Sequence, residues 1–177
     1  MSDSATLEQQ PQDAGERQPV TKDEITADRP TWCSGCGDFS VLSIYYKLIQ
    51  KRNIPHENVT TVAGIGCSGN MVHLVEGPQP FGIHGVHGRT LPVALGVKMA
   101  RPELNVIIVA GDGDFLSIGA EHIGPQAQRN LNVTCLIMDN AVYGLTKGQY
   151  SPTSGVGMKT KSSPMGSIDH PVDPIRF

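Results

Sequence analysis

The chain has 177 residues, 38% hydrophobic and 18% charged, with a formal net charge of −3. That is one domain's worth of globular sequence, with no basic patch for nucleic acid and no apolar run beyond residues 106–110, far too short for a bilayer. The N-terminus carries no basic-then-apolar leader, which points to the cytoplasm, where four cysteines read as ligands, catalytic groups or core before disulfides.

Residues 1–29 are rich in Gln, Asp, Glu, Ser and Pro and hold no aromatic side chain. Such a composition buries too little apolar surface to offset ordering, so this stretch reads as a flexible polar tail ahead of a folded domain over 30–177. From residue 38 the pattern changes. Phe39, Val41, Leu42, Tyr45, Leu48 and Ile49 fall at helical spacing, with Asp38 placed as N-cap. Residues 59–63 predict a short strand running into the loop Gly64-Ile65-Gly66-Cys67-Ser68-Gly69. A second loop, 82–89, carries His84 and His87 among its glycines, and Thr90 then caps a helix to about residue 100 that tolerates Pro92 in its first turn.

Residues 105–110 predict a strand buried on both faces, as in a parallel sheet, ending in Gly111-Asp112-Gly113-Asp114. A helix is expected over 116–129, bent or interrupted at Gly124-Pro125. Residues 133–138 predict another buried strand ending at Asp139-Asn140, and after Gly144 the chain is loop-like. Strand, helix, strand in that order argues for an α/β fold with a parallel sheet flanked by helices.

Asp112 and Asn140 end consecutive predicted strands, 28 positions apart, the length of a helix, a strand and two turns. A right-handed crossover brings both to one edge of the sheet, where ligands of doubly wound sheets bind. Two oxygen donors there suit a Mg2+ that keeps its other positions for phosphate oxygens. Gly111 and Gly113 let backbone approach those phosphates beside a helix N-terminus. Asp and Asn are also ordinary turn residues, and it is spacing and strand context together that favour a cofactor site. Gly-Asp-Gly followed by Asn after a little under thirty residues resembles the signature of thiamine-diphosphate enzymes. That resemblance implies Asp112 and Asn140 as side-chain ligands of Mg2+, with Val142 ligating through its carbonyl oxygen.

Two motifs are misleading by letter. Trp32-Cys33-x-x-Cys36 has the form of a thioredoxin redox motif, yet the chain before it is polar and holds Pro30 rather than a buried strand. Gly64-x-Gly66-x-x-Gly69 fits the dinucleotide fingerprint, but Gly77-Pro78 stops the segment 71–76 where a long helix is required. Three cysteines, Cys33, Cys36 and Cys67, set in loops of Ser and Gly suit a zinc or an iron–sulfur site, whereas Cys135 lies inside a predicted strand and reads as core.

Taken together, Trp32-Cys33-Ser34-Gly35-Cys36-Gly37-Asp38, Gly64-Ile65-Gly66-Cys67-Ser68, His87-Gly88-Arg89, Gly111-Asp112-Gly113-Asp114 and the stretch from Tyr143-Gly144-Leu145-Thr146 to Ser154 resemble the β subunits of 2-oxoacid:ferredoxin oxidoreductases. The resemblance implies a thiamine-diphosphate-binding fold and oxidative decarboxylation of a 2-oxoacid with coenzyme A, electrons leaving through a 4Fe-4S cluster to ferredoxin. It implies Cys33, Cys36 and Cys67 as cluster ligands, with the fourth beyond Phe177 in a C-terminal part that is apparently missing. Cofactor contacts are implied at Gly66, Cys67, Ser68, His87, Gly111, Asp112, Gly113, Asp114, Asn140, Val142, Tyr143, Gly144, Leu145 and Thr146, with His87 and Arg89 as catalytic candidates and His84 near them. A partner α subunit is implied, and the stretch 159–167 looks more like the 2-oxoglutarate type than the pyruvate type. Asn70, Asp139 and Gly124-Pro125 depart from the family pattern. Two other readings stay open: a thiamine-dependent decarboxylase or synthase without ferredoxin, and a non-enzymatic zinc domain on Cys33, Cys36, Cys67 and a histidine such as His73.

Overall fold

The computed structural model describes residues 18–27, 29–76 and 81–177. Most of the tail expected over 1–29 (residues 1–17 and Asp28) and the Gly77-Pro78 stop lie outside the described residues. What is described of that tail is packed. Thr21 and Glu24 form a capping box on the one-turn helix α1 (Lys22–Ile25), which buries Ile25 completely, and Thr26 bridges Val75. One apolar residue on a well-capped turn is enough to dock it, and the average composition of the stretch conceals that.

Helix α2 (Asp38–Arg52) turns Leu42, Tyr45, Tyr46 and Ile49 inward, while Phe39 and Leu48 stay exposed. Gly37, not Asp38, occupies the N-cap; Asp38 sits in the first turn, where burial pushes its carboxyl above the usual range against a hydrogen bond from Cys36. Asn53, in the left-handed conformation, ends the helix. Strand β1 (Val59–Ala63) is buried along its whole length. The residues after it form a short 3-10 helix, Ser68–His73, in place of the long helix a dinucleotide site needs.

The loop expected over 82–89 begins instead as strand β2 (Phe81–His84), parallel to β1. It is an exposed edge, so nothing required an apolar pattern and its glycines disguised it. Helix α3 (Thr90–Ala100) matches expectation except that Arg89 holds the cap position, with no side-chain cap bond. Strand β3 (Asn105–Gly111) is the buried centre. The helix expected over 116–129 is broken into a π turn (Asp114–Ile118), a 3-10 turn (Ala120–His122) and α4 (Ile123–Gln128). Gly119 caps the break, and Pro125 lies in the first turn of α4, where a missing N–H costs nothing. Strand β4 (Thr134–Met138) is only half-buried, because it is the other edge of the described sheet. A small antiparallel hairpin, β5 (Val142–Tyr143) and β6 (Gln149–Tyr150), follows.

The four main strands run parallel in the order β2-β1-β3-β4. Successive residues of β3 alternate between two cores. Val106, Ile108 and Ala110 pack with Leu91, Ala94, Phe115 and Leu116, whereas Ile107 and Val109 face the side covered by α2. This two-sided burial is what a sheet with helices on both faces demands of its central strand. Among the described residues no helix is long and apolar enough to cross a membrane.

Candidate functional site

Parallel strands deliver their ends to one edge. The register sets Gly111 beside Met138, so Asp112 and the Asp139-Asn140 pair leave adjacent strand ends, as their spacing predicts. Asp112 is 1% exposed, and its Oδ2 lies 2.8 Å from Thr153 Oγ1, which is also 2.8 Å from Asp139 Oδ1. A hydroxyl has one proton and can donate to only one of these carboxylates. Two carboxylates thus compete for one side-chain donor, and a cation at this edge would satisfy the buried Asp112 oxygen. The donor chemistry fits Mg2+, which takes oxygen ligands from one or two carboxylates and completes its shell with phosphate and water. Among the described residues, no three His, Cys, Asp or Glu side chains are grouped to hold a metal by themselves.

Asn140 and Val142 belong to a tight turn beside Asp112. Asp139 Oδ1 accepts from Ala141 N at 2.9 Å, and Asn140 Oδ1 accepts from Val142 N at 3.1 Å. Between them Ala141 has φ 57°, a conformation that costs energy for a residue with a Cβ. The loop 151–154 holds it there: Ser154 Oγ donates to Ala141 O at 2.5 Å and accepts from Ser151 N at 2.8 Å. Thr153, Ser151 and Ser154 are thus site residues to which the sequence alone assigned no role. Their hydroxyl-rich run was visible, but its placement on Asp112 depends on the β5–β6 hairpin.

Asp114 joins three loops. Its Oδ1 accepts from Ile65 N at 3.2 Å and Gly88 N at 2.7 Å, and lies 2.5 Å from His87 Nδ1. Gly64 makes this packing possible, since a Cβ there would lie 2.0 Å from Asp114 Oδ2. Tyr143 lies over Gly113 and donates to its carbonyl at 3.2 Å, and its ring meets that of His87 edge-on at 6.0 Å. Ser68 is buried facing Gly111. A Cβ on Gly144 would be 3.5 Å from both Asn140 Nδ2 and Cys67 Sγ, so the Cys67 thiol stands beside the turn that carries Asn140. Gly66 bends the first loop, and Leu145 and Thr146 lie exposed at the hairpin tip, where Thr146 bonds Gln149. A cleft of about 390 Å3 opens next to Tyr143, bounded by Tyr150, Ser151, Asp169 and His170.

Two residues named from the sequence turn elsewhere. The Arg89 guanidinium donates to Ile118 O at 2.9 Å and pairs with Glu121 at 3.1 Å, pinning the π turn. His84 pairs with His73 at 2.7 Å on exposed surface.

The cysteines divide by face. Cys33 and Cys36 flank a turn closed by Cys36 N donating to Cys33 O, and the Trp32 indole donates to Cys67 O at 2.6 Å, tying that turn to the first loop. Burial pushes the Cys67 thiol up, reinforced by the negative charges of Asp38, Cys36 and Cys33 nearby. Cys67 therefore lies within electrostatic reach of Cys33 and Cys36, and thiolates are the ligands an iron–sulfur centre takes. Cys135 packs in the core on the opposite face of the sheet, where burial pushes its thiol to about 11.

Residues 64–177 match the family model described as thiamine pyrophosphate enzyme, C-terminal TPP binding domain. The chain is 45% identical over 159 residues to the 2-oxoglutarate oxidoreductase subunit KorB of Mycobacterium tuberculosis, covering 89% of this chain and 42% of that one. It is 48% identical over 144 residues to the β subunit of 2-oxoacid:ferredoxin oxidoreductase 2 of Aeropyrum pernix, covering 81% and 46%. Its structure resembles that of a 2-oxoglutarate:ferredoxin oxidoreductase from Magnetococcus marinus, solved with 2-oxoglutarate, coenzyme A and succinyl-CoA bound, at a TM-score of 0.81 and 41% identity, over 86% of this chain and 52% of that one. The chain thus spans about half the length of the relatives it matches. With the family's domain covering the whole carboxyl edge of the sheet, the chain belongs to the thiamine pyrophosphate enzymes, through their C-terminal TPP binding domain.

Proposed function

We propose that this chain is the cofactor-binding part of a 2-oxoacid:ferredoxin oxidoreductase β subunit, acting in the cytoplasm with an α subunit as heterodimer or dimer of heterodimers. One observation carries the reading: Asp112, at the end of the central strand, shares a single Thr153 proton with Asp139 beside Asn140. In this reading Asp112, Asn140 and the Val142 carbonyl hold Mg2+, and backbone at Gly111 and Gly113 receives the diphosphate. Bound thiamine diphosphate would supply the carbanion and electron sink for decarboxylating the 2-oxoacid. Cys33, Cys36 and Cys67 would hold three corners of a 4Fe-4S cluster, which would supply the electron route to ferredoxin, and coenzyme A would be the acyl acceptor. With Cys135 across the sheet, the fourth ligand comes from none of these four cysteines. The names of the relatives favour 2-oxoglutarate over pyruvate as substrate.

A decarboxylase without ferredoxin would use the same Asp112 and Asn140 but leaves Cys33, Cys36 and Cys67 without a role. The zinc domain needs a histidine beside the three cysteines, and one candidate for it, His73, has its Nε2 paired with His84. The test is anaerobic purification with the partner α subunit, followed by a visible spectrum and iron, zinc and thiamine analysis. Iron and thiamine diphosphate together support the reading, and zinc alone refutes it; if thiamine diphosphate appears without iron, the measurement is repeated on a chain extended to its relatives' length, where iron supports the reading and its continued absence favours the decarboxylase. In the same complex Asp112→Ala is expected to abolish Mg2+-dependent binding of thiamine diphosphate by calorimetry, and unchanged affinity refutes the metal assignment.

A further inference from the structure

We propose that Asp114 is a positioning residue that holds His87 in its Nδ1–H tautomer, leaving the Nε2 lone pair free at the cofactor edge. The inference rests on the functional reading above only for calling that edge a cofactor site. Its argument is local. Asp114 Oδ1 already accepts from two backbone donors, Ile65 N and Gly88 N, and these groups can only donate. A carboxylate can only accept, so the proton in the third bond, at 2.5 Å, belongs to His87 Nδ1. In the neutral ring the second nitrogen, Nε2, is then the acceptor, and it lies across the ring from Asp114.

The geometry also leaves Asp114 nothing to offer a cofactor directly. The residue is 2% exposed, its Oδ1 is filled by three donors, and its Oδ2 has no partner and is walled by Gly64. A contact with cofactor, as the family resemblance implies for this residue, therefore passes through His87. The imidazole keeps 27% of its side-chain exposure and stands edge-on to Tyr143, whose hydroxyl is anchored on Gly113 beside Asp112. Its free lone pair can accept from an N–H or O–H group of the cofactor. The same carboxylate fixes the loop backbone at Ile65 and Gly88, so ring and loops are oriented together, as partner carboxylates orient histidines in other sites.

The test reads ring 15N shifts of His87 in the 177-residue chain without cofactor, at a pH where the ring is neutral, with the signal assigned by its loss in His87→Gln. A pyrrole-like Nδ1 and a pyridine-like Nε2 are expected. The Nε2–H tautomer, or averaging between the two, overturns the proposal. Asp114→Asn should keep the tautomer, because the amide NH2 cannot face the two backbone N–H groups and its oxygen must take their place; a switch to Nε2–H overturns the proposal. Asp114→Ala should release the ring to mixed tautomers if the variant folds, and an unchanged tautomer overturns it. Should that variant not fold, the wild-type and Asn measurements decide alone. Thiamine diphosphate plays no part in these spectra, so a failure of the cofactor reading and a failure of this one are separable.

Discussion

The sharpest prediction concerns Gly64. A methyl group placed there would lie 2.0 Å from Asp114 Oδ2 and 2.3 Å from Oδ1, well inside contact distance. The obstacle is not the loose end of a flexible side chain, because Asp114 is buried and holds Ile65 N, Gly88 N and His87 in place. Gly64→Ala must therefore either overpack the site, at about 1–3 kcal/mol, or push the carboxylate off its donors, leaving buried N–H groups at about 1–3 kcal/mol each. A total loss of about 3 kcal/mol, at roughly 2–4 °C per kcal/mol for a chain of this size, lowers Tm by roughly 6–12 °C. Gly96→Ala is the control. It lies within α3 with open space where the Cβ would go, so it should gain roughly 0.5–1 kcal/mol from reduced backbone freedom. Scanning calorimetry of both variants beside the parent chain measures the difference. A Gly64→Ala transition within about 2 °C of the parent would show that the Asp114 cluster is soft and refute the reasoning.

Two further outcomes follow from buried titrating groups. Cys135, with its thiol raised by burial from an ordinary 9.0 to about 11, should alkylate at pH 8 about a hundredfold more slowly than an unperturbed thiol, since only the thiolate reacts; peptide mapping that finds it modified as fast as exposed Cys33 contradicts the packing. His56 is buried with Nε2 unpartnered, and burial lowers its pKa. Below the unfolded value of 6.5 the unfolded chain takes up the proton first, so the stabilising effect of the neutral ring is present above that pH and lost as pH falls through it. The urea midpoint should therefore drop between pH 7 and 5 by more in the parent than in His56→Gln, and parallel pH profiles would refute the assignment.

How much of the protein was legible depended on the range of the interaction concerned. Strands at residues 59–63 and 105–110, the helix from 38, and the arrival of Asp112 and Asn140 on adjacent strand ends were all readable from the chain. Periodicity and connection length are local quantities, and a parallel sheet converts them into position. Edge strand β2 was not readable, because an exposed edge imposes no apolar pattern. The docking of Ile25 was hidden by a polar average, and Gly119 rather than Gly124-Pro125 broke the helix after β3 because a proline in a first turn removes no bond.

Periodicity and spacing specified three of the four parallel strands and the residue types offered at the sheet's carboxyl edge. Only the tertiary structure decided their partners. It placed one Thr153 hydroxyl between two carboxylates, turned Arg89 onto Glu121 and Ile118, sent Cys135 to the face opposite Cys36 and Cys67, and closed Asp114 around His87. Each of these contacts joins loops distant in sequence whose side-chain directions no periodicity encodes. They are settled by hydrogen-bond satisfaction and steric fit once the strands have brought the loops together.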